Sequence, residues 1–136
     1  MSAPDAAAVD ALVAAARNAQ TRAIAPYSHF LVGAALLLDD GSIVTGCNIE
    51  NATYGLTVCA ERVALLKALS DGRRSFTAIA VTTATARPTP PCGACRQLLW
   101  EYCGDIPVIL ASPTHVTMRT SLGALFPEPF GPDNLR

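Results

Sequence analysis

Apolar positions along the chain change period several times, and each change marks an element. Between Asp5 and about Arg22, Val9, Leu12, Val13, Ala16 and Ala19 recur at helical spacing, and Pro26 ends the pattern. Phe30–Leu38 is the longest apolar run and suits a strand buried on both faces. Ile43–Ile49 is a second β-type run, with Asp39-Asp40-Gly41-Ser42 between the two as a hairpin turn. A helix is predicted from about Cys59 to Ser70, capped by Thr57 or its neighbour and closed by Asp71-Gly72. Phe76–Thr83 reads as a buried strand, and the three prolines between Arg87 and Pro91 as an irregular connection. A helix from Cys92 to about Tyr102 stops near Gly104. Ile106–Ala111 and Val116–Thr120 supply two more strands, and Ser121–Phe126 a last short helix before Pro127, Pro129 and Pro132 stiffen the tail. Helices alternating with strands after an opening hairpin imply an α/β fold, a three-layer α/β/α sandwich around a mixed sheet of about five strands.

Length and composition sharpen this picture. A chain of 136 residues is one domain, residues 1–136, large enough for a core without staples. Its hydrophobic fraction of 51% exceeds what so small a domain hides by itself, which points to subunit contacts. No apolar run reaches the ~20 residues of a membrane helix, so no membrane association is expected. The first residues include Asp5 and Asp10 and lack a basic leader, unlike a secretory signal, and a cytoplasmic location is expected. Five cysteines, an odd number, then favour reduced thiols and metal over disulfides. A net charge of −1 with scattered basic residues argues against a nucleic-acid partner and for a small, nearly neutral ligand.

The chemistry concentrates in Cys59-Ala60-Glu61 and Pro91-Cys92-Gly93-Ala94-Cys95. Cys92 and Cys95 share one face of a helical turn, and Cys59 lies at the start of another helix. Helix N-termini favour thiolates, because unpaired N–H groups and the dipole stabilise negative charge. Three thiolates leave a tetrahedral zinc with one open position, the mark of a catalytic rather than a structural site. A structural site needs a fourth ligand among Cys47, Cys103, His29 and His115. Cys103 is roughly 12 Å from Cys95 at helical rise. The histidines lack ligand spacing and suit loops or the surface, and Cys47 suits a buried strand position. Glu61 is within reach of the open position, while Arg62 and Arg96 lie beside the ligands and offset the formal charge of −1 on zinc with three thiolates. The residues thus read as an enzyme that activates water on zinc.

In these clusters the chain resembles a small, zinc-dependent cytidine deaminase acting on free nucleosides. Pro26-Tyr27-Ser28 with Phe30, Val32-Gly33-Ala34-Ala35, Gly46–Ala52 with Tyr54, the two cysteine clusters with Arg62, Arg96 and Gln97, and Phe126-Pro127 with Phe130 match in order across residues 26 to 130. The resemblance implies one zinc per subunit on Cys59, Cys92 and Cys95, with Glu61 as the proton shuttle. It implies that Asn48 and Glu50, which alternate along the chain, hold the ribose 3′-hydroxyl. Phe30 would pack on the base and the Ala60 N–H bind its ring carbonyl. Tyr54 would lie near the ligand and a subunit boundary, and Phe130 would stack on the base in a neighbouring subunit. The family therefore implies a homotetramer with shared active sites, serving pyrimidine salvage. Phe76 and Trp100 read as core.

Related branches that act on deoxycytidylate or tRNA commonly carry His-Ala-Glu where this chain has Cys-Ala-Glu. Together with Asn48 and Glu50, that points to the free nucleosides cytidine and 2′-deoxycytidine as substrates. Two alternatives remain at this level: deamination of a blasticidin-type cytosine nucleoside antibiotic, and a zinc-stabilised module whose glutamate is incidental.

Overall fold

All five expected strands form, and they make one mixed sheet. The computed structural model describes residues 3–136. In chain order the elements are α1 (Ala6–Gln20), β1 (Gly33–Leu38), β2 (Ile43–Cys47), α2 (Ala60–Ser70), β3 (Phe76–Thr82), α3 (Gly93–Cys103), β4 (Pro107–Ala111), β5 (Val116–Ser121) and a single turn, α4 (Leu122–Leu125). Two 3-10 turns, Tyr54–Leu56 and Pro132–Leu135, complete them. The strand order is β2-β1-β3-β4-β5, with β3 and β4 parallel and the other pairs antiparallel.

Alternation along the strands divides the core in two. Ala34, Leu36, Leu38, Ile79, Val81, Val108 and Leu110 pack with Ala64, Leu65, Ala68 and Leu99 of α2 and α3. Ala35, Leu37, Ala78, Ala80 and Ile109 face the other way, onto Val9, Leu12, Val13 and Ala16 of α1. Each fully buried leucine contributes roughly 1.5–3 kcal/mol by leaving water. Phe76 joins the α2–α3 side because a bulge opposite Leu37 and Leu38 shifts the register around Thr77. Trp100 packs at the edge of that same cluster, in line with its reading as core.

Two glycines let helices approach the sheet more closely than any side chain would. A Cβ on Gly33 would lie 2.0 Å from the Ala16 carbonyl oxygen of α1. One on Gly46 would lie 2.5 Å from both the Ala60 carbonyl oxygen and the Ala64 nitrogen. The second contact seats the first turn of α2 directly on β2.

Several boundaries differ from the expected ones, each for a local reason. β1 begins at Gly33, because Phe30–Val32 is tied to Asn48 rather than to a neighbouring strand. β2 ends at Cys47, after which Ile49 pairs singly with Ile24 and Val58 outside the sheet. Thr57 does not cap α2: its hydroxyl accepts the Asn51 N–H, and Cys59 occupies the cap position. Cys47 is half-buried rather than buried.

The register shows where these departures lead. Gly33 stands opposite both Cys47 and Thr82, and Thr82 opposite Ala111. The start of β1 and the ends of β2, β3 and β4 therefore share one edge of the sheet. Segments 28–32, 48–50 and 83–92 all emerge there, next to the N-termini of α2 and α3. Ligand sites of open α/β sheets form at such an edge.

Candidate metal centre and cleft

The two crossover helices bring the three cysteines of the expected cluster together. Cys59 is the N-cap of α2, Cys92 is the N-cap of α3, and Cys95 lies one turn into α3. Neither cap side chain bonds the N–H groups of its own helix, so both helix ends leave unclaimed N–H groups beside the cluster. The Cys92 sulphur is 3.9 Å from that of Cys59 and 3.5 Å from that of Cys95, and all three lie within 4.8 Å of one another. Tetrahedral zinc with Zn–S bonds of ~2.3 Å sets its sulphurs about 3.8 Å apart. Spacing and donor chemistry both fit that ion. The Cys59 thiol is held down to about 6, chiefly by hydrogen bonding from Cys95, with Cys92 and the Arg62 charge adding against the opposing effect of burial. Cys95 moves the opposite way, raised by its hydrogen bond with Cys59 and by its burial.

Glu61 is 5% exposed, on the first turn of α2. Burial pushes its carboxyl up to about 7, and the Cys59 charge adds to the rise. A carboxyl poised near neutrality beside a metal cluster is suited to accepting and returning a proton. The arginines differ. Arg62 faces Cys59, donates from Nη2 to the Thr57 carbonyl oxygen at 2.9 Å, and keeps a buried Nε without a partner among the described residues. Arg96 donates to the carbonyl oxygens of Pro91 at 2.7 Å and Leu125 at 2.6 Å, strapping α3 to α4.

A cleft of about 270 Å³ opens over the cluster. Cys59, Ala60, Glu61 and Cys92 form its floor, and Phe30, Asn48 and Glu50 its far wall. Lysine and arginine are absent from its described lining. Asn48 Oδ1 accepts the Val32 N–H at 2.8 Å, and Nδ2 donates to the Phe30 carbonyl oxygen at 2.8 Å, leaving its second N–H. Glu50 Oε1 accepts the N–H groups of Tyr27 at 2.9 Å and Ser28 at 3.1 Å, and Oε2 accepts the Ser28 hydroxyl. These donors, the Ser28 hydroxyl foremost, hold the Glu50 carboxyl below its ordinary value. One donor on Asn48 and one acceptor position on Glu50 remain, which is the complement of a single hydroxyl group.

Tyr54 and Phe130 are outside this lining. Tyr54 borders an adjoining pocket shared with Tyr27, Ser28, Glu50 and Thr57, and stacks edge-on against Tyr27 at 5.7 Å. Phe130 is exposed in the tail, its carbonyl accepting from Gln97 at 2.8 Å. His29 and His115 are exposed, as expected of loop residues. Ser28, Thr89 and Pro90 line the cleft without having been given a site role from the sequence. The proline-rich stretch Arg87–Pro91 hid the last two, and Ser28 gave no signal apart from its place in Pro-Tyr-Ser.

The family model for the cytidine and deoxycytidylate deaminase zinc-binding region matches residues 7–110. The chain belongs to that deaminase family. Among curated deaminases, the cytidine deaminase of Halalkalibacterium halodurans is 50% identical over 91% of this chain and 95% of its own length. That of Sporosarcina psychrophila is 48% identical over 93% and 94% respectively. The crystal structure of the Burkholderia pseudomallei cytidine deaminase superposes with a TM-score of 0.84 at 49% identity, covering 89% of this chain and 98% of that one. The α/β sandwich described above is thus the deaminase fold, and the three-cysteine cluster is the metal site that a zinc-binding member requires.

Proposed function

We propose that this chain catalyses the hydrolytic deamination of cytidine and 2′-deoxycytidine to uridine and 2′-deoxyuridine with release of ammonia, using one zinc ion per subunit. The observation that carries this reading is a buried Glu61 beside three converging sulphurs, at the floor of a cleft whose far wall suits one hydroxyl. Cys59, Cys92 and Cys95 hold the zinc, which supplies Lewis-acid activation of water when bound. Glu61 accepts a proton from water and delivers it to N3 of the base, then passes the second proton to the departing amine. Its burial keeps water from competing for those protons. The first N–H of α2, on Ala60, is free to donate to the ring carbonyl, and Phe30 lies against the base. Asn48 and Glu50 take the sugar 3′-hydroxyl between their remaining donor and acceptor. With two carboxylates and no basic side chain in its described lining, the cleft disfavours a 5′-phosphate.

The same reading makes the protein a homotetramer with shared sites, Tyr54 at the subunit boundary and Phe130 completing a neighbour's cleft. It is supported by the exposure of both side chains, 74% and 54%. A cytoplasmic role in pyrimidine salvage is part of the same reading, supported by the nucleoside chemistry and by five cysteines without a disulfide among them. The blasticidin-type alternative draws no support from the relatives above, each named a cytidine deaminase.

The test follows near-UV absorbance of cytidine with the zinc-loaded protein and with Glu61→Gln. Conversion to uridine is expected for the natural chain. The variant should lose at least 10³-fold in turnover while keeping its zinc, at the middle of the range for losing a general acid–base group. Zinc-loaded protein that leaves cytidine unchanged would refute the assignment.

A further inference from the structure

The loop that carries Phe30 into the cleft is held by two hydrogen bonds that meet on one hydroxyl. His29, just before Phe30, adopts a left-handed backbone conformation with φ of 58°, which is uncommon for a non-glycine residue and is held by its surroundings. Part of that support is local, the His29 N–H donating to the Ala25 carbonyl oxygen at 2.9 Å. The rest passes through Ser28. Its Oγ–H donates to Glu50 Oε2, and the same Oγ accepts the Phe30 N–H at 3.1 Å. Ser28, Phe30 and Glu50 all line the cleft.

The two oxygens of Glu50 are held differently. Oε1 is fixed by the backbone N–H groups of Tyr27 and Ser28, and a substitution of Ser28 by any residue other than proline keeps both. Oε2 is directed by the Ser28 hydroxyl alone. Oε2 is also the oxygen with capacity left for a ligand donor. A single hydroxyl thus aims the acceptor at one end of the cleft and anchors the backbone of the aromatic residue beside it.

We propose that Ser28 is a positioning residue that sets the cleft's preference for a sugar bearing a 3′-hydroxyl, by fixing Glu50 Oε2. This rests on the nucleoside reading above and adds to it a residue that touches neither the base nor the metal. The ionised state of Glu50 is consistent with it, since three donors converge on that carboxylate. Without the Ser28 hydroxyl, the Glu50 carboxylate turns about its Oε1 anchor and takes water instead, and a hydroxyl on the ligand loses its oriented acceptor.

The experiment compares kcat/KM for cytidine and 3′-deoxycytidine in the natural chain, Ser28→Ala and Ser28→Thr, each confirmed to hold one zinc per chain. The natural chain is expected to prefer cytidine. Ser28→Ala should lose roughly tenfold or more on cytidine, mostly in KM, as expected for a charge-assisted hydrogen bond. It should lose less than about threefold on 3′-deoxycytidine, a smaller loss than one such bond accounts for. Ser28→Thr, which keeps the hydroxyl, should keep the preference. Glu50→Asp, which retains the charge but withdraws it from Ser28, gives a second reading and should collapse the preference in the same way. An equal loss on both substrates in Ser28→Ala would mark a merely structural role and overturn the proposal, as would an intact preference. Failure of the natural chain to convert cytidine is a separate result, which refutes the underlying function.

Discussion

Arg62 brings a guanidinium to Cys59, whereas both bonded donors of Arg96 serve carbonyl oxygens. The difference matters because zinc with three thiolates carries a formal charge of −1, which weakens its pull on a water molecule. Arg62, with a buried Nε aimed at no other described partner, is placed to offset that charge. Arg62→Gln is predicted to weaken zinc binding by roughly tenfold, as groups adjoining metal ligands commonly do, measured by competition with a chelator. Unchanged affinity would remove Arg62 from the account. At this scale the sequence located the chemistry but not its wiring. Glu50 and Asn48 stood out as polar residues on alternate positions. That each also ties down the 27–32 segment was invisible, because the partners are backbone groups 16 to 23 residues away.

Among the elements, the β1–β2 hairpin turn offers a clean electrostatic test. Hydrogen bonds from the Ser42 hydroxyl and N–H, then the Arg73 guanidinium, lower the Asp40 carboxyl from 3.8 to about 2. The folded chain therefore binds fewer protons than the unfolded one between those two values. The resulting stabilisation is present above 3.8 and is lost as pH falls towards about 2. Asp40→Asn should make the acid-side fall in melting temperature shallower across that window, and identical acid limbs would exclude the role. The group is solvent-exposed, so the effect is small. Helices and strands were legible wherever periodicity and punctuation agreed, as in α1 and β3. Boundaries failed where a side chain bonds to backbone: Phe30–Val32 reads as strand by composition, yet Asn48 claims its polar groups. Similarly, Thr57 looks like a cap but its hydroxyl serves Asn51, leaving the helix end to a cysteine.

For the whole molecule, part of the apolar excess read from composition stands at the surface. Ile24, Tyr27, Ile49, Tyr54 and Leu56 are exposed, with Tyr27 and Tyr54 beside the cleft. A homotetramer is predicted by light scattering at low micromolar concentration, and a monomer would sink both that assembly and the role given to Phe130. Topology adds a consequence of its own. Two cysteines come from the β3–β4 crossover and the third from the β2–β3 connection, so Cys59 and Cys92 are 33 positions apart. An ion joining them is a removable cross-link around a loop that contains α2 and β3. Closing 33 residues restricts an unfolded chain by about 3 kcal/mol of entropy. The metal that serves the chemistry therefore also acts as a thermodynamic clasp, and stripping it with a chelator is expected to lower the unfolding temperature.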